Sequence, residues 1–515
     1  MLNPRALLLL LPLVVSSGSG ACARKMSSIT DTAPRVTEDC AVWDNPRLTR
    51  RLDVLTGSVE REGNRAELLI DGVNAFPRRY ENSADAELIF VKTFIFYEDE
   101  AGQAVAKLLI ERAKAGAEVW FQYDQKGSIR GPEDVQHMLT LADDERLLGE
   151  LPLVRQMREA GVHIIASNPV RRAKGIVRWG EFVDSWSEAR GGEPKARILP
   201  RFDHEKYWIT LNPTPEGDRE LRVILGGLNI ASEYAYGGTP QKDAVTGRNG
   251  WRDTDIELRG PVTNDVVSRY LDLIEIHTSE RLAPGERGRL NPPQGVKGSA
   301  KARFVWNHPI LGNKRRIERL YNELIDATPD GAPIKIATAY FAPGRRITRP
   351  LYRAARDGNP MTVITNSTES VDMWFVTSAS RHEYRRLSRI NPELGLYEWL
   401  PQPEEGWFTL HSKQAAFGGC GPVIVGSANL DAQSSEHNSE SVVAVRDAQL
   451  RADFDQMFAA DLGEGRVTRV DPAELDRVGP IERLKELTIY TLMWYWLDGQ
   501  GDGGGGGGFG GGGRL

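Results

Sequence analysis

Two histidines in the chain each stand two residues before a lysine, His204 with Lys206 and His411 with Lys413. If each H-x-K segment lies in a strand, both side chains leave the same face, so a cation stands beside an imidazole. A histidine of near-neutral pKa can attack phosphorus or carry a proton, and a lysine can neutralise charge on the non-bridging oxygens. The spacing therefore indicates phosphodiester chemistry, for which we expect that no metal or other cofactor is required.

Each H-x-K pair is followed by an apolar run that ends in a turn of small residues and an asparagine, at 226–229 and at 426–429. Such turns let an amide, a hydroxyl and backbone N–H groups face a bound anion. The chain has only eight histidines, and two matching frames among so few argue against coincidence. We expect these side chains to bind phosphate: Lys206, Asn229, Lys413, Ser427 and Asn429. The alternative for Ser427 and the asparagines is a role in the turns alone.

At these motifs the chain resembles the phospholipase D superfamily, and within it the bacterial cardiolipin synthase-like enzymes. The matching text is HEK, GGLNIASEY and WRDTDIELRGP in the first half and LHSK and GSANLDAQSSEHNSE in the second. The resemblance extends from about residue 66 to residue 458. It implies that the His, Lys and Asn of both motifs surround one phosphate. It also implies that Glu440 orients His411 and that Asp253 orients His204.

The chain departs from the family pattern at two positions. The family's motif usually has an Asp seven residues after each His, and Leu211 and Gly418 stand there in this chain. That Asp is understood as a structural support and not as the attacking group, so the catalytic interpretation is retained. By analogy with the family, we expect His204 to be the nucleophile that forms a phosphohistidine and His411 to be the acid and base; the alternative is that the two roles are exchanged. A non-catalytic lipid-binding descendant remains an alternative.

The chain around the motifs alternates between buried strands and helices. The run at 86–99 is almost continuously apolar, the run at 102–115 has helical spacing, and the run at 117–125 is a further strand. The second half repeats this order from residue 333 onward. We predict an α/β fold of two pseudo-twofold-related phospholipase D-type domains in one chain, each with a mixed central sheet flanked by helices.

Shifts in composition suggest domain boundaries. We predict, in order, a signal peptide at 1–21, an N-terminal arm at 22–63, a first domain at 64–280, a linker at 281–301, a second domain at 302–465, a C-terminal helical segment at 466–498 and a glycine-rich disordered tail at 499–515. The apolar and aromatic stretch at 484–497 is too short to cross a bilayer. It suits either a helix docked on the domains, which we favour, or a helix in a bilayer interface.

The amino terminus predicts export. An apolar block follows Arg5, and small residues follow the block, which is the layout of a secretory signal. Cys22 stands where a bacterial lipoprotein carries its lipid, so the alternatives are lipidation at Cys22 and cleavage after Ala21. We expect a periplasmic or cell-envelope location. There Cys40 and Cys420 could pair, but a free buried thiol at Cys420 is equally plausible.

Composition limits the choice of substrate. The formal net charge is −6 and the isoelectric point is about 5.9, so no general basic field favours nucleic acid. We therefore expect no nucleic-acid partner. The resemblance implies a phospholipid substrate at a membrane surface, and we expect a monomer with an internal pseudo-dimer. The predicted function is that of a phosphatidyltransferase or phospholipase D. The alternative within the same superfamily chemistry is a nuclease or other phosphodiesterase.

Overall fold

The computed structural model describes residues 40–130, 134, 136, 138, 140, 149–173, 176–183, 196–197, 202–308 and 311–498. The predicted signal peptide, lipidation at Cys22 and the glycine-rich tail lie outside these residues. Within the described part of the chain, no helix combines the length and the apolar character that crossing a membrane requires.

Strands form the framework of both halves. In the first half they are β1 Glu60–Ile70, β2 Leu88–Thr93, β3 Glu118–Asp124, β4 His163–Ser167, β5 Val170–Ala173, β6 Ile176–Val183, β7 Ala196–Arg197, β8 Tyr207–Pro213, β9 Arg219–Gly226 and β10 Thr254–Arg259. In the second half they are β11 Ala300–Asn307, β12 Ile334–Thr338, β13 Met361–Asn366, β14 Gly395–Trp399, β15 Lys413–Phe417, β16 Val423–Gly426, β17 Glu440–Arg446 and β18 Val467–Arg469.

Helices connect and cover these strands. After a 3-10 helix at Cys40–Asp44, the described α-helices of the first half are α1 Pro46–Thr56, α2 Gly72–Ser83, α3 Glu100–Lys114, α4 Pro152–Glu159, α5 Ser232–Ala235, α6 Val262–Thr278 and α7 Pro284–Leu290. Those of the second half are α8 Arg316–Ala327, α9 Arg345–Arg356, α10 Trp374–Ile390, α11 Ala432–Glu436, α12 Ala448–Asp461, α13 Pro472–Arg477 and α14 Pro480–Asp498.

One 15-stranded sheet runs through both halves, and its strand order is symmetric about its centre. The strands β1 and β11 pair there antiparallel. On one side the order is β1-β10-β9-β8-β2-β3-β4, and on the other it is β11-β17-β16-β15-β12-β13-β14 with β18 outermost. This order confirms the predicted mixed α/β fold with a repeated unit in each half.

Strand pairing brings the chemically important segments to one edge of the sheet. The end of β2 pairs with the start of β8, with Lys92 opposite Tyr207, and Thr338 at the end of β12 lies opposite Lys413 at the start of β15. The end of β9 likewise meets the start of β10, and the end of β16 meets the start of β17. Both H-x-K segments and both asparagine turns therefore emerge at the same edge.

Two predicted segments, the arm and the linker, contain more regular structure than the sequence suggested. The predicted arm at 22–63 contains helix α1 and the first residues of β1, and helix α2 follows that strand. The predicted linker at 281–301 contains helix α7. The β1 strand was missed at its start because side chains there are only partly buried and Arg61 pairs with Asp265, so the apolar alternation is weak.

A disulfide joins Cys40 to Cys420, with Cα atoms 5.8 Å apart. The sequence left this pairing open against a free buried thiol. The bond connects the 3-10 helix to the hairpin between β15 and β16. It therefore ties the first described residues of the chain to the strand that begins at Lys413.

Candidate active site

The backbone of each H-x-K segment is hydrogen bonded to the opposite half of the molecule. The amide N–H of His204 donates to the carbonyl oxygen of Ser439 over 2.9 Å, and the N–H of His411 donates to the carbonyl oxygen of Arg252 over 2.7 Å. Short parallel bridges at Asp203–Ser439 and Arg252–Leu410 accompany these bonds. The two motifs are therefore assembled across the interface between the halves.

Each imidazole is held by a carboxylate from the other half. His204 Nδ1 lies 2.9 Å from Glu440 Oε2, and His411 Nδ1 lies 2.6 Å from Asp253 Oδ2. The predicted partners, Glu440 for His411 and Asp253 for His204, were wrong. The partners are exchanged because each histidine segment is hydrogen bonded to the opposite half of the molecule. It therefore lies beside the start of the strand, β17 or β10, near which the carboxylate of that half is located. With Nδ1 occupied, Nε2 is the nitrogen left for reaction in both rings.

The two lysines are buried between the halves. Lys206 Nζ donates to the carbonyl oxygen of His204 over 2.8 Å, and Lys413 Nζ donates to that of His411. Burial lowers the pKa of Lys206 to about 7, against the opposing effect of Glu440, and the charge of Lys413 lowers it further. Burial likewise lowers the pKa of Lys413 to about 8. Two ammonium groups in one desolvated space form a site suited to an anion.

Both imidazoles are held in their neutral form. Burial lowers the pKa of His204 to about 4, and the charges of Lys206 and Lys413 add to that effect while Glu440 opposes it. Burial lowers the pKa of His411 well below its ordinary value, and Lys413, Lys206 and His204 contribute in the same direction. His204 and His411 are thus close enough to affect each other's charge, and a neutral imidazole is the nucleophilic form.

The carboxylates lie in different surroundings. Burial alone would raise the pKa of Glu440, but the hydrogen bond with His204, the charge of Lys206 and the hydrogen bond from Ser427 hold that pKa below its ordinary value. Ser434 Oγ and Asn438 Nδ2 also donate to Glu440, over 2.9 and 3.1 Å. Burial raises the pKa of Asp253 to about 6, although Lys413 opposes the shift. Glu440 is therefore more firmly ionised than Asp253.

The asparagines are buried beside these groups and keep unused polar atoms. Asn229 Oδ1 accepts from the N–H of Ile95 over 3.0 Å, while its Nδ2 has no hydrogen-bond partner. Asn429 Oδ1 is also buried without a partner. Rotating that amide by 180° exchanges its oxygen and nitrogen and would present a donor. Buried polar atoms left unpaired are uncommon, and a bound phosphate would satisfy them.

Ser427 has a different role from the predicted one. Its hydroxyl donates to Glu440 and accepts from the N–H of Ser441 over 3.0 Å. Since a hydroxyl has a single proton to donate, Ser427 in this structure supports the carboxylate that holds His204. The prediction that it donates to the phosphate is corrected accordingly.

The two departures from the family motif lie away from the chemistry. Leu211 is buried in the core on β8, where it pairs with Leu88 and Leu221. Seven residues of extended chain place it about 20 Å from His204. Gly418 has a φ of +59° and its N–H donates to the carbonyl oxygen of Pro333, at the far end of β15. The absence of the family's Asp at these two positions therefore removes no group from the site.

Aromatic rings pack against the imidazoles, and the sequence did not predict these contacts. His411 packs against both Tyr234 and Trp251, with ring centroids 5.2 and 4.9 Å away, and those two rings contact each other at 4.7 Å. His204 contacts the edge of Phe94 at 4.8 Å. Tyr234 and Trp251 lie within the GGLNIASEY and WRDTD segments, so their closeness to the motifs was the available signal.

A buried ionic network supports the first motif and was also missed. Asp203 pairs with Lys92 and accepts from Ser439 Oγ over 2.8 Å. Glu205, the middle residue of the first H-x-K motif, pairs with Arg269 at 3.1 Å and with Lys92 at 3.3 Å. Two residues that flank His204 are therefore fixed by buried charges. The corresponding residues of the second motif, Leu410 and Ser412, carry no charge.

The converging groups favour an anionic ligand. Imidazole, ammonium and amide groups can together hold and attack a phosphodiester. Among the described residues, no group of three or more His, Cys, Asp or Glu side chains is arranged to hold a metal ion.

Comparison with known proteins agrees with this chemistry. A protein-family model described as "Cardiolipin synthase, PLD-like domain" matches residues 323–462. The chain is 26% identical over 421 residues to the "Probable cardiolipin synthase YwiE" of Bacillus subtilis, covering 82% of this chain and 70% of that protein. It is 25% identical over 408 residues to "Cardiolipin synthase B" of Escherichia coli K12, covering 78% of this chain and 82% of that protein.

The fold is also shared with a solved structure. The phosphatidylserine synthase of Haemophilus influenzae superposes with a TM-score of 0.55 at 12% identity, covering 87% of this chain and 98% of that one. At that identity the likeness concerns the fold alone. Taken with the sequence matches, the site makes the chain an enzyme of the phospholipase D type, similar to the bacterial cardiolipin synthases.

Proposed function

We propose that the protein is a phospholipid phosphatidyltransferase that works through a phosphohistidine on His204. The observation that carries the proposal is the pair of exchanged dyads, His204 with Glu440 and His411 with Asp253. Each half contributes an imidazole and a lysine to the space between the halves, and neither half orients its own histidine. The arrangement suits one phosphodiester held between two reactive nitrogens.

The first step forms a covalent intermediate. His204 Nε2 attacks phosphorus, the bond from phosphorus to the leaving alcohol breaks, and His411 Nε2 gives a proton to that alcohol. The bound phosphodiester is an anion, so it raises the pKa of His411 by opposing the effect of the two lysines. Substrate binding thus supplies the protonated imidazole that this step needs, although the empty site keeps His411 neutral.

The second step transfers the phosphatidyl group. His411 removes a proton from the incoming hydroxyl, the new phosphorus–oxygen bond forms, and the phosphorus–nitrogen bond to His204 breaks. A hydroxyl of phosphatidylglycerol would give cardiolipin, and water would give phosphatidic acid. The printed names of the relatives favour the lipid acceptor.

We place this activity in the cell envelope after export. Support comes from the apolar block in residues 1–21 and from Cys22, which could carry lipid. The Cys40–Cys420 disulfide also fits an oxidising compartment. The substrate is then a phospholipid at a membrane surface.

Product analysis tests the proposal. The purified protein is incubated with vesicles of phosphatidylglycerol and phosphatidylethanolamine, and the products are identified by mass. We expect cardiolipin from the parent protein and none from His204→Ala. The matched control is His163→Ala, because His163 is an exposed histidine on β4 and should be dispensable. Turnover of a nucleotide diester, with no turnover of either lipid, would replace the proposal with a nuclease.

A further inference from the structure

Helix α14 exposes an apolar stripe. Ile481 is 82% exposed, Leu484 is 63% exposed and Leu487 is 44% exposed. Their spacing of three residues puts them on one side of the helix. Most other large apolar side chains that are exposed in the described chain are scattered valines, whereas these three are larger and adjacent. Adjacent exposed apolar side chains mark a surface that contacts something else.

The opposite side of α14 is fixed to the second half. Glu486 is buried and pairs with Arg385 of α10 at 2.5 Å. The Tyr490 hydroxyl donates to the carbonyl oxygen of Pro343 over 3.0 Å, and its ring lies 4.7 Å from that of His382. The helix is therefore a docked element whose apolar stripe points away from the protein.

The direction of α14 brings it toward the active site. Glu486 contacts Arg385 and Tyr490 contacts His382, so α14 runs antiparallel to α10. Its last turns, with the sequence LMWYWL at 492–497, consequently lie beside the first turns of α10. Met373, which precedes α10, is 37% exposed. The neighbouring Asp372 is close enough to Lys413 to raise the pKa of that lysine.

A second series of contacts also connects helix α14 to the active site. Tyr490 belongs to a small apolar cluster with Ala342. The N–H of Ala342 donates to the carbonyl oxygen of Leu430 over 2.9 Å, and Leu430 is the residue after Asn429. Helix α14 therefore runs from the exposed stripe at its start toward the segment that follows Asn429.

We propose that this stripe docks on a phospholipid bilayer and keeps the enzyme at the lipid surface. The inference rests on the proposed function, since it names how that site reaches its substrate. An enzyme that acts on phospholipids must meet them where their acyl chains stay buried, because withdrawing those chains into water is strongly unfavourable. Arg483 and Lys485 on the same helix pair with Asp476 and Glu482, so they add no net positive charge and the proposed contact is mainly apolar.

A second copy of the chain fits the stripe less well. Stable protein interfaces bury roughly 800 Å² on each partner, far more than three aliphatic side chains offer. A short apolar stripe along one side of a helix is instead typical of a helix that lies in a membrane interface. The stripe is therefore assigned to lipid.

Vesicle flotation tests the docking surface. The full-length protein, with Cys22→Ser in every sample so that no acyl anchor contributes, is mixed with vesicles of phosphatidylglycerol and phosphatidylethanolamine. We expect Leu484→Glu to lower the bound fraction at least about tenfold and Leu484→Trp to raise it, because Trp favours membrane interfaces. The matched control is Val54→Glu, which changes an aliphatic residue of helix α1 that is 83% exposed.

Measurements of lipid turnover distinguish a failure of the docking surface from a failure of the proposed function. Leu484→Glu should retain activity on a short-chain phosphatidylglycerol that is monomeric in water, which also shows that the variant folds. Equal vesicle binding by all variants, alongside normal activity, would overturn the docking surface and leave the function intact. If Leu484→Glu loses vesicle binding but no sample, including the parent protein, turns over lipid, the docking surface stands and the proposed function is overturned. Unchanged vesicle binding with a dimer that Leu484→Glu dissociates would assign the stripe to a second copy.

Discussion

The two halves of the active site share a motif but differ in what surrounds it. Glu440, which holds His204, also accepts hydrogen bonds from Ser427, Ser434 and Asn438. At the corresponding positions the first half has Gly227, Tyr234 and Trp251, so Asp253 lacks those side-chain donors. One carboxylate therefore lies in a polar pocket, and the other lies beside an imidazole that packs against aromatic rings.

This difference suggests a division of labour. A firmly ionised Glu440 stabilises the positive charge that His204 acquires as it bonds to phosphorus. Asp253, whose pKa burial raises to about 6, is less firmly ionised, so the Asp253–His411 pair can exchange a proton nearer to neutral pH. A duplicated motif can thus supply two different catalytic groups when only the neighbours of its carboxylates change.

The largest effect should come from removing either imidazole. His204→Ala eliminates the nucleophile and His411→Ala eliminates the proton carrier, so each should lower lipid turnover by about 1,000-fold or more. The measurement is cardiolipin formation in vesicles by mass. A variant of either histidine that keeps more than a tenth of parent activity would show that the two halves do not act on the same phosphate.

Removing the charge of each carboxylate should distinguish the catalytic roles of the two halves. Glu440→Gln and Asp253→Asn keep the size of each side chain but remove its charge, and loss of such a supporting group costs roughly 10–100-fold. We expect Glu440→Gln to slow the burst of released alcohol, because that step charges His204. Asp253→Asn should slow the steady rate more than the burst. Identical effects on both phases would contradict the division of labour.

The glycine and serine that occupy matching turn positions provide a finer comparison. A Cβ on Gly227 would lie 2.2 Å from Asp253 Oδ1, so Gly227→Ala must displace that carboxylate from His411. Ser427→Ala removes only one of several donors to Glu440. We expect activity to fall at least about tenfold for Gly227→Ala and only a few-fold for Ser427→Ala. Equal losses would indicate that both carboxylates tolerate displacement alike.

The smallest effect concerns pH. Burial lowers the pKa of Lys206 to about 7, so its charged form is lost as pH rises through that value, and Lys413 follows at about 8. We expect kcat/KM of the parent protein to decline above pH 7 as phosphate binding weakens. Lys206→Arg keeps its charge, so the decline should begin about one pH unit higher. An unchanged profile would show that Lys206 does not set the alkaline limb.

The sequence predicted the parts of this site that depend on local repetition. The spacing of His204 and Lys206, repeated at His411 and Lys413, predicted the groups that the structure brings together between the halves, and the alternation of buried strands and helices predicted the fold. These features are visible because each lies within one continuous segment. Asn229 and Asn429 were found for the same reason, since each ends the strand that follows its motif.

The partners of the histidines could not be obtained that way. Whether Asp253 faces His204 or His411 depends on how the halves meet, and that is set by backbone bonds such as His204 to Ser439. The ring of Tyr234 and the charge of Lys92 were missed because neither carries a recognisable motif. The start of β1 was missed because its ion pairs conceal the apolar alternation.

The most direct test of the account is the position of the covalent phosphate. Protein with His411→Ala is mixed with phospholipid labelled in its phosphate, quenched in alkali, digested and mapped by mass spectrometry. We predict a phosphatidyl or phosphate adduct on the peptide that contains His204, and slower formation of that adduct when Glu440→Gln is added. An adduct on His411 in the His204→Ala protein, with none on His204 in the His411→Ala protein, would contradict the assignment of the nucleophile.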